Sequence, residues 1–447
     1  MQPAMASLQA QGPRVPQLLS PAQAGDVLDA AAIATRPDTL QAQAVSVDSA
    51  ALAADVLDIA VTPDVTLRAV RDRRERLRGG GQVWSGRLPG DRLSTVTLVV
   101  QGDVFQGSIR TATAAYSIEP IGPAYVVREV DTRLAPPELE PLHPPADLRA
   151  AALDDPPVGR DDGGTIDVLV LYTPGARTSA GGTDAAVEAR IALGVAETNT
   201  AYANSGITPR LRLVGTQLLG YTEVGMSADL TALRTNSSVA ALRNTLGADL
   251  VALVVANSAE ACGVGYIMTS TAGFDAYGYS VTAYSCISPN YSFGHELGHN
   301  MGSSHAPEDG GAGFYPYSFG YKHPGRLFRT VMAYDCPSGG CPRVLHFSNP
   351  DVSYGGAATG TAAQHDNARS IDDNAIAVAN FRQAVDGGAA PTISAIGDVT
   401  IAEDGVTGGI AFTVADADTA AGSLTVTAVS ANTTLVPSTG TALALGG

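Results

Sequence analysis

The string His295-Glu296-Leu297-Gly298-His299-Asn300-Met301-Gly302-Ser303-Ser304-His305 constrains this chain more than any other feature of its 447 residues. Three of the chain's seven histidines fall within it. Residues four apart on a helix sit one turn above each other, so a helix here puts His295 and His299 within reach of one metal ion. Glu296 projects about 100° away from His295, near enough to handle a water beside that ion without ligating it. His305 cannot continue on the same helix, which would carry it about 9 Å along the axis from His299, whereas zinc–nitrogen bonds are about 2.0–2.1 Å long. The chain must therefore turn back after His299, and Gly302, free to adopt the left-handed conformation, stands where the reversal is needed. Two ligands, a turn and a third ligand leave the fourth position open, as a catalytic zinc site requires. One catalytic Zn2+ is the expected cofactor; Ca2+ has no motif behind it.

The rest of the chain divides by pattern. Residues 1–133 carry Trp84, the alternation Thr95-Val96-Thr97-Leu98-Val99-Val100 and further short runs through Ile109 and Tyr125, which predict a β-rich unit. Residues 134–164 hold Pro136-Pro137, Pro144-Pro145 and Pro156-Pro157 and read as an exposed Pro-rich linker with a processing site near Arg160-Asp161. From 165 to 386 the predicted order is strand (166–172), helix (185–203), strand (211–219), helix (227–246), strand (249–256) and a closing helix (366–384). That alternation implies an α/β fold with a mostly parallel sheet. Leu250-Val251-Ala252-Leu253-Val254-Val255 is apolar on both faces and belongs at its centre. Residues 390–447 are Thr- and Val-rich, with strands expected at 400–402, 410–414 and 424–429. They are similar to the start of an all-β immunoglobulin- or cadherin-like module.

The extended histidine string matches the metzincin zinc endopeptidases. Thr330-Val331-Met332-Ala333-Tyr334, about thirty residues downstream, stands where that family has its methionine turn, with Met332 as the turn residue. Within the metzincins the chain resembles the reprolysin (adamalysin-like) group and the bacterial peptidyl-Asp metalloendopeptidases. The similar stretches are Thr165-Ile166-Asp167-Val168-Leu169-Val170-Leu171-Tyr172-Thr173, Tyr291-Ser292-Phe293-Gly294 and Phe347-Ser348-Asn349-Pro350. The resemblance implies a metzincin-type catalytic domain with a zinc-site helix, preceded by a propeptide-like domain. It also implies His295, His299 and His305 as zinc ligands, Glu296 as general base for a zinc-activated water, and protein or peptide substrates. Tyr334 departs from the reprolysin pattern and occupies the position of a switchable fifth ligand in astacins and serralysins; zinc ligation, oxyanion stabilisation and simple packing are all open for it.

In the resembled family, the segment between the third histidine and the methionine turn walls the pocket for the residue after the cleaved bond. Here 306–331 carries Lys322, Arg326 and Arg329 against Glu308 and Asp309, within a chain of net charge −17. A locally positive wall favours a carboxylate, so aspartate after the scissile bond is the expected preference. Cations merely exposed on a loop are the other reading.

A net charge of −17 argues against a nucleic-acid partner, and no run of about 18 apolar residues exists to span a membrane. The expected state is a monomer. Cys262, Cys286, Cys336 and Cys341 are the only cysteines, an even and clustered set that suits disulfides in an oxidising, extracellular compartment. Of three possible connectivities, the short loop between Cys336 and Cys341 favours pairing those two, and Cys262 with Cys286. With no cysteine upstream of Cys262, latency through a thiolate on the metal is excluded. The chain opens without a charged end and apolar stretch, yet Ala4-Met5-Ala6 has the form of a signal-cleavage site. Missing first residues and chance in an Ala-rich segment are both open. The rival from another class is a secreted binding or adhesion protein with a catalytically inactive protease-like domain; the presence of Glu296 beside all three histidines speaks against it.

Overall fold

The computed structural model describes residues 15–22, 34, 36–77, 81–122, 124–145, 161–258, 260–337, 340–385, 392–394, 396–397, 399–402, 408–415 and 426. Its architecture is mixed α/β. The N-terminal part supplies nine strands: β1 (Leu19–Pro21), β2 (Thr39–Val47), β3 (Val56–Thr62), β4 (Val65–Arg76), β5 (Gln82–Leu88), β6 (Asp91–Gln101), β7 (Val104–Arg110), β8 (Ala115–Ile121) and β9 (Ala124–Val130). They form one antiparallel sheet in the order β1-β2-β9-β8-β7-β6-β5-β4-β3. The chain entering β1 also bonds to the opposite edge, with Leu18 N donating to Asp58 O at 2.8 Å and Asp58 N to Pro16 O at 2.9 Å. The sheet thus curls back on itself and leaves little unpaired edge. Trp84, Leu57, Ile59, Leu98 and Ile118 fill its interior, and the indole N–H of Trp84 donates to Ala54 O at 3.0 Å.

The second sheet comprises β10 (Thr165–Tyr172), β11 (Arg210–Leu218), β12 (Leu250–Val255), β13 (Gly263–Gly265) and β14 (Tyr279–Ala283) in the order β11-β10-β12-β14-β13. All pairs are parallel except β13–β14. β12 lies in the middle and every one of its residues is buried, as its two-sided apolar sequence requires. The helices α1 (Pro174–Ser179), α2 (Asp184–Asn204), α3 (Met226–Thr235), α4 (Ser237–Leu246), α5 (Ser292–Asn300) and α6 (Asn367–Val378) accompany it.

Four expectations need correction. The single helix at 227–246 is two helices, because Asn236 leaves the helical region and its side chain accepts from Ser238 N and Val239 N, capping the second. The closing helix stops at Val378, short of 384. In the C-terminal part, 400–402 carries no strand, and 410–414 is strand only at its last residue, where Val414–Ala415 pairs with Thr392–Ile393. The expected strand at 424–429 lies outside the described residues except for position 426. Finally, the linker is not exposed throughout: Glu138 and Pro141 are buried where the segment runs along the second sheet.

Helix α2 joins the two sheets. It is buried on nearly every side, and Ala192, Leu193 and Ala196 pack on Val83 of β5 and Val99 of β6 while Ile191 and Val195 face the core around the second sheet. At its middle, the fully buried Arg190 donates to Ser117 Oγ (3.2 Å) and Gln106 Oε1 (3.4 Å) in the first sheet and to Ser288 O (2.8 Å) beside the second. Two buried acids depend on its charge. Burial would raise Glu119, but Arg128, Arg36 and Arg190 hold it down to about 2; burial pushes Glu197 up to about 7 against the pull of Ser108, Ser288 and Arg190. Arg190→Ala is therefore expected to lower unfolding stability at neutral pH by about 3 kcal/mol, since it leaves a buried charge cluster unbalanced. Urea unfolding measures this, and a loss below about 1 kcal/mol contradicts it.

Candidate active site

Helix α5 is buried along its whole length and sits under the β13 edge of the sheet. Asn300 ties it there, its side-chain amide donating to Tyr266 O (2.8 Å) and Tyr279 O (3.1 Å). The helix ends as the histidine spacing requires. Gly302 has φ of 91°, Gly302 N donates to His299 O (3.0 Å) and Ser303 N to Gly298 O (2.9 Å). A Cβ at Gly302 would come within 2.6 Å of Asn374 Nδ2 and 2.8 Å of Phe314 Cβ, so space as well as backbone conformation demands glycine.

This reversal brings His305 back to the helix. Its Nε2 lies 3.2 Å from His295 Nε2 and 3.1 Å from His299 Nε2. His295 Nδ1 faces Val331 O at 2.9 Å and His299 Nδ1 faces Ser303 O at 2.8 Å. A carbonyl only accepts, so these two Nδ1 atoms carry the protons and both Nε2 atoms present lone pairs. Burial first, then the other charges nearby, keeps all three rings neutral: His299 is lowered to about 4, and His295 and His305 are lowered as well. Neutral imidazole nitrogens converging this closely fit a single cation, because one proton on His305 Nε2 can be shared at best between two facing lone pairs, whereas a cation is bound by all three rings.

Beneath the triad, Thr330–Ala333 forms a turn closed by Ala333 N donating to Thr330 O (3.1 Å). Met332 is fully buried there, and a Cβ at Gly298 would collide with its Sδ; the bare glycine lets the sulfur reach the helix between the two histidines. Tyr334 packs its ring on His305, with centroids 3.8 Å apart. Burial and the nearby Glu140 carboxylate raise its phenol far above the ordinary value.

Glu296 points up toward β13, where a Cβ on Gly263 would lie 2.5 Å from its Oε1. Burial raises its carboxyl well above the usual range, the adjacent Glu138 carboxylate adds to this, and Arg343 opposes it. Cys262, just ahead of β13, is bonded to Cys286, and Cys336 to Cys341 just past the turn.

The three cations expected to wall a pocket go to different places. Lys322 is buried in an ion pair with Asp309. Arg326 has φ of 59° and donates to Gly340 O at 3.0 Å from an exposed side chain. Arg329 alone of the three reaches the cavity next to Tyr334, a space of about 320 Å³ lined by Glu138, Arg329, Tyr334 and Arg343 among others. Arg343 was not foreseen, because it lies beyond the methionine turn. The available signal was a lone cation held between Cys341-Pro342 and the apolar Val344-Leu345.

A mostly parallel sheet with an edge strand laid over a three-histidine helix, a methionine turn below it and a buried glutamate between them defines a metallopeptidase. Residues 163–374 match the metallo-peptidase family M12B reprolysin-like model. A protein of Stenotrophomonas maltophilia R551-3 named peptidyl-Asp metalloendopeptidase is 34% identical over 400 residues, covering 82% of this chain and 92% of that one. One of the same name from Xanthomonas campestris pv. campestris is 32% identical over 379 residues, 78% of this chain and 88% of its own. The chain belongs to the reprolysin-like M12B metallopeptidases, and it is a metalloendopeptidase that acts on proteins or peptides. Among the described residues no helix is long and apolar enough to cross a membrane.

Gly302→Ala should cost about 1–2 kcal/mol from the left-handed backbone alone, with the clash at Asn374 and Phe314 adding to it. The expected outcome is a lower melting temperature and loss of metal by elemental analysis, since His305 is displaced. Full metal content with unchanged melting contradicts this account of the turn.

Proposed function

We propose that this chain is a secreted, zinc-dependent endopeptidase in which Glu296 is the general base and aspartate is preferred just after the scissile bond. The observation that carries the reading is the convergence of three neutral histidine nitrogens beside a buried glutamate that is not one of the three. An all-imidazole set with an open fourth position is the donor chemistry of catalytic zinc. His295, His299 and His305 would hold the zinc, and the chemistry it would supply there is that of a Lewis acid toward a carbonyl and a water. The burial that raises the Glu296 carboxyl also fits it to take a proton from the attacking water and return it to the departing amine. Gly263 leaves room for that carboxylate under the sheet edge. In this reading Tyr334, its ring tilted against that of the third histidine, steadies that ring or hydrogen-bonds an oxyanion.

Both disulfides support an extracellular site of action. The names of the relatives support the aspartate preference. Residues 1–133 act as the propeptide in this reading, with release within 134–164. Amino-terminal sequencing of secreted active enzyme is expected to find a start near residue 161; an active form still beginning near residue 7 contradicts the propeptide.

Glu296→Ala should retain the metal yet lose at least about a hundredfold in kcat/KM on a quenched peptide. Activity within about tenfold of the unsubstituted enzyme contradicts the assigned base. A proteome-derived peptide library should be cut chiefly before Asp, and equal cutting before Asp, Leu and Lys contradicts the preference.

A further inference from the structure

Residues 137–142 lie along the β13 edge of the catalytic sheet and hydrogen-bond to it. Cys262 N donates to Pro137 O (2.7 Å), Leu139 N to Gly263 O (3.0 Å), Leu142 N to Gly265 O (2.9 Å) and Ile267 N to Leu142 O (3.0 Å). Leu142 thereby pairs in parallel with Tyr266, alongside β13, the outer strand that shields Glu296. An extended peptide bound for cutting needs an open sheet edge of this kind, and here the chain's own segment already uses it.

The side chains of this segment reach into the site. Glu138 accepts from Arg343 Nη1 and from Ser292 Oγ, both at 2.7 Å, and the Glu138 and Arg343 side chains are each only 2% exposed. Ser292 lies one turn before His295 on α5, and the Glu138 carboxylate lies against that of Glu296. Glu140 approaches His305 Nδ1 to 3.7 Å. Behind the pair, Arg329 is buried close enough to Arg343 for the two cations to oppose each other, and Asp335 and Glu138 answer them. A buried guanidinium pair without an anion is costly, so a carboxylate belongs in this position whether or not it comes from the chain itself.

We propose, on the basis of the peptidase reading above, that Arg343 is the residue that holds the acidic side chain of the substrate beside the scissile bond, and that Glu138 occupies its place in this structure. Glu138 is then an internal stand-in for substrate aspartate, and residues 137–142 keep the cleft closed by filling both the sheet edge and the cationic subsite. The contact that makes the enzyme selective is the one that makes the uncleaved chain latent. Arginine suits the task because its guanidinium keeps its charge when buried and grips carboxylates directionally.

The test uses the full-length, metal-loaded chain, its integrity checked by intact mass. Quenched peptides differ only in Asp, Asn or Leu after the scissile bond. Glu138→Gln should raise cleavage of the Asp peptide by the uncleaved chain at least about tenfold, because the stand-in loses its charge. Placing Arg343→Gln in that background should lower kcat/KM for the Asp peptide at least about tenfold more than for the Leu peptide, so that the ratio of the two reads the subsite and cancels any effect on Glu296 common to both. Arg343→Lys should restore part of the Asp preference. Hydrogen exchange supplies a readout independent of catalysis: the Leu139 and Leu142 amides should be protected in the unsubstituted chain and exchange faster in Glu138→Gln and in Arg343→Gln. An Asp-to-Leu ratio unchanged by Arg343→Gln overturns the specificity assignment. Protection of both amides retained in both variants overturns the closure, whatever the activity. Released amides with no peptide cut by any form would instead overturn the peptidase reading and leave the internal occupant standing.

Discussion

Everything in this active site depends on three imidazole nitrogens being brought within 4.8 Å of one another. Two come free with helix geometry, since His295 and His299 share a face of α5. The third costs a helix ending, a glycine at positive φ and a return path that must still deliver His305 to 3.1 and 3.2 Å from the other two. Backbone carbonyls of Val331 and Ser303 then fix the orientation of two rings, and burial keeps all three neutral. The remaining features serve this cluster: Met332 supports the helix from below, Asn300 holds it to the sheet, and Gly263 and Gly265 make room above.

What was legible in the sequence is what local rules govern. The eleven-residue string foretells a helix, a turn at Gly302 and a returning histidine, and all three are present because spacing and backbone sterics decide them. The strands at 165–172 and 250–255 follow from apolar runs too long and too two-sided to sit at a surface. The uninterrupted apolar spacing from 227 to 246 hid the break at Asn236, where a side-chain cap outweighs helical pattern. Such breaks can be read only if capping residues are weighed inside a run as well as at its ends.

The pocket was less legible because it is built from positions far apart in the chain. Arg343 meets Glu138 across 205 residues, and Asn290 O accepts from the same guanidinium. Charge counting within 306–331 found Arg329 but had no means of knowing that Lys322 is answered by Asp309 next to it in space. Proline content marked 134–164 as an exposed linker, which is reasonable for a segment alone. It did not reveal that proline-rich extended chain, already short of internal hydrogen bonds, is well suited to lie along a sheet edge and borrow bonds from it.

The central claim is that His295, His299 and His305 together hold one zinc ion with a position left for water, while Glu296 stays outside the ligand set. X-ray absorption spectroscopy at the metal edge of the purified chain tests this most directly. The account predicts one zinc per chain with three imidazole nitrogens at about 2.0–2.1 Å and a light-atom remainder. Sulfur in the first shell, fewer than three imidazoles, or a metal-free protein that still cleaves peptide would contradict it.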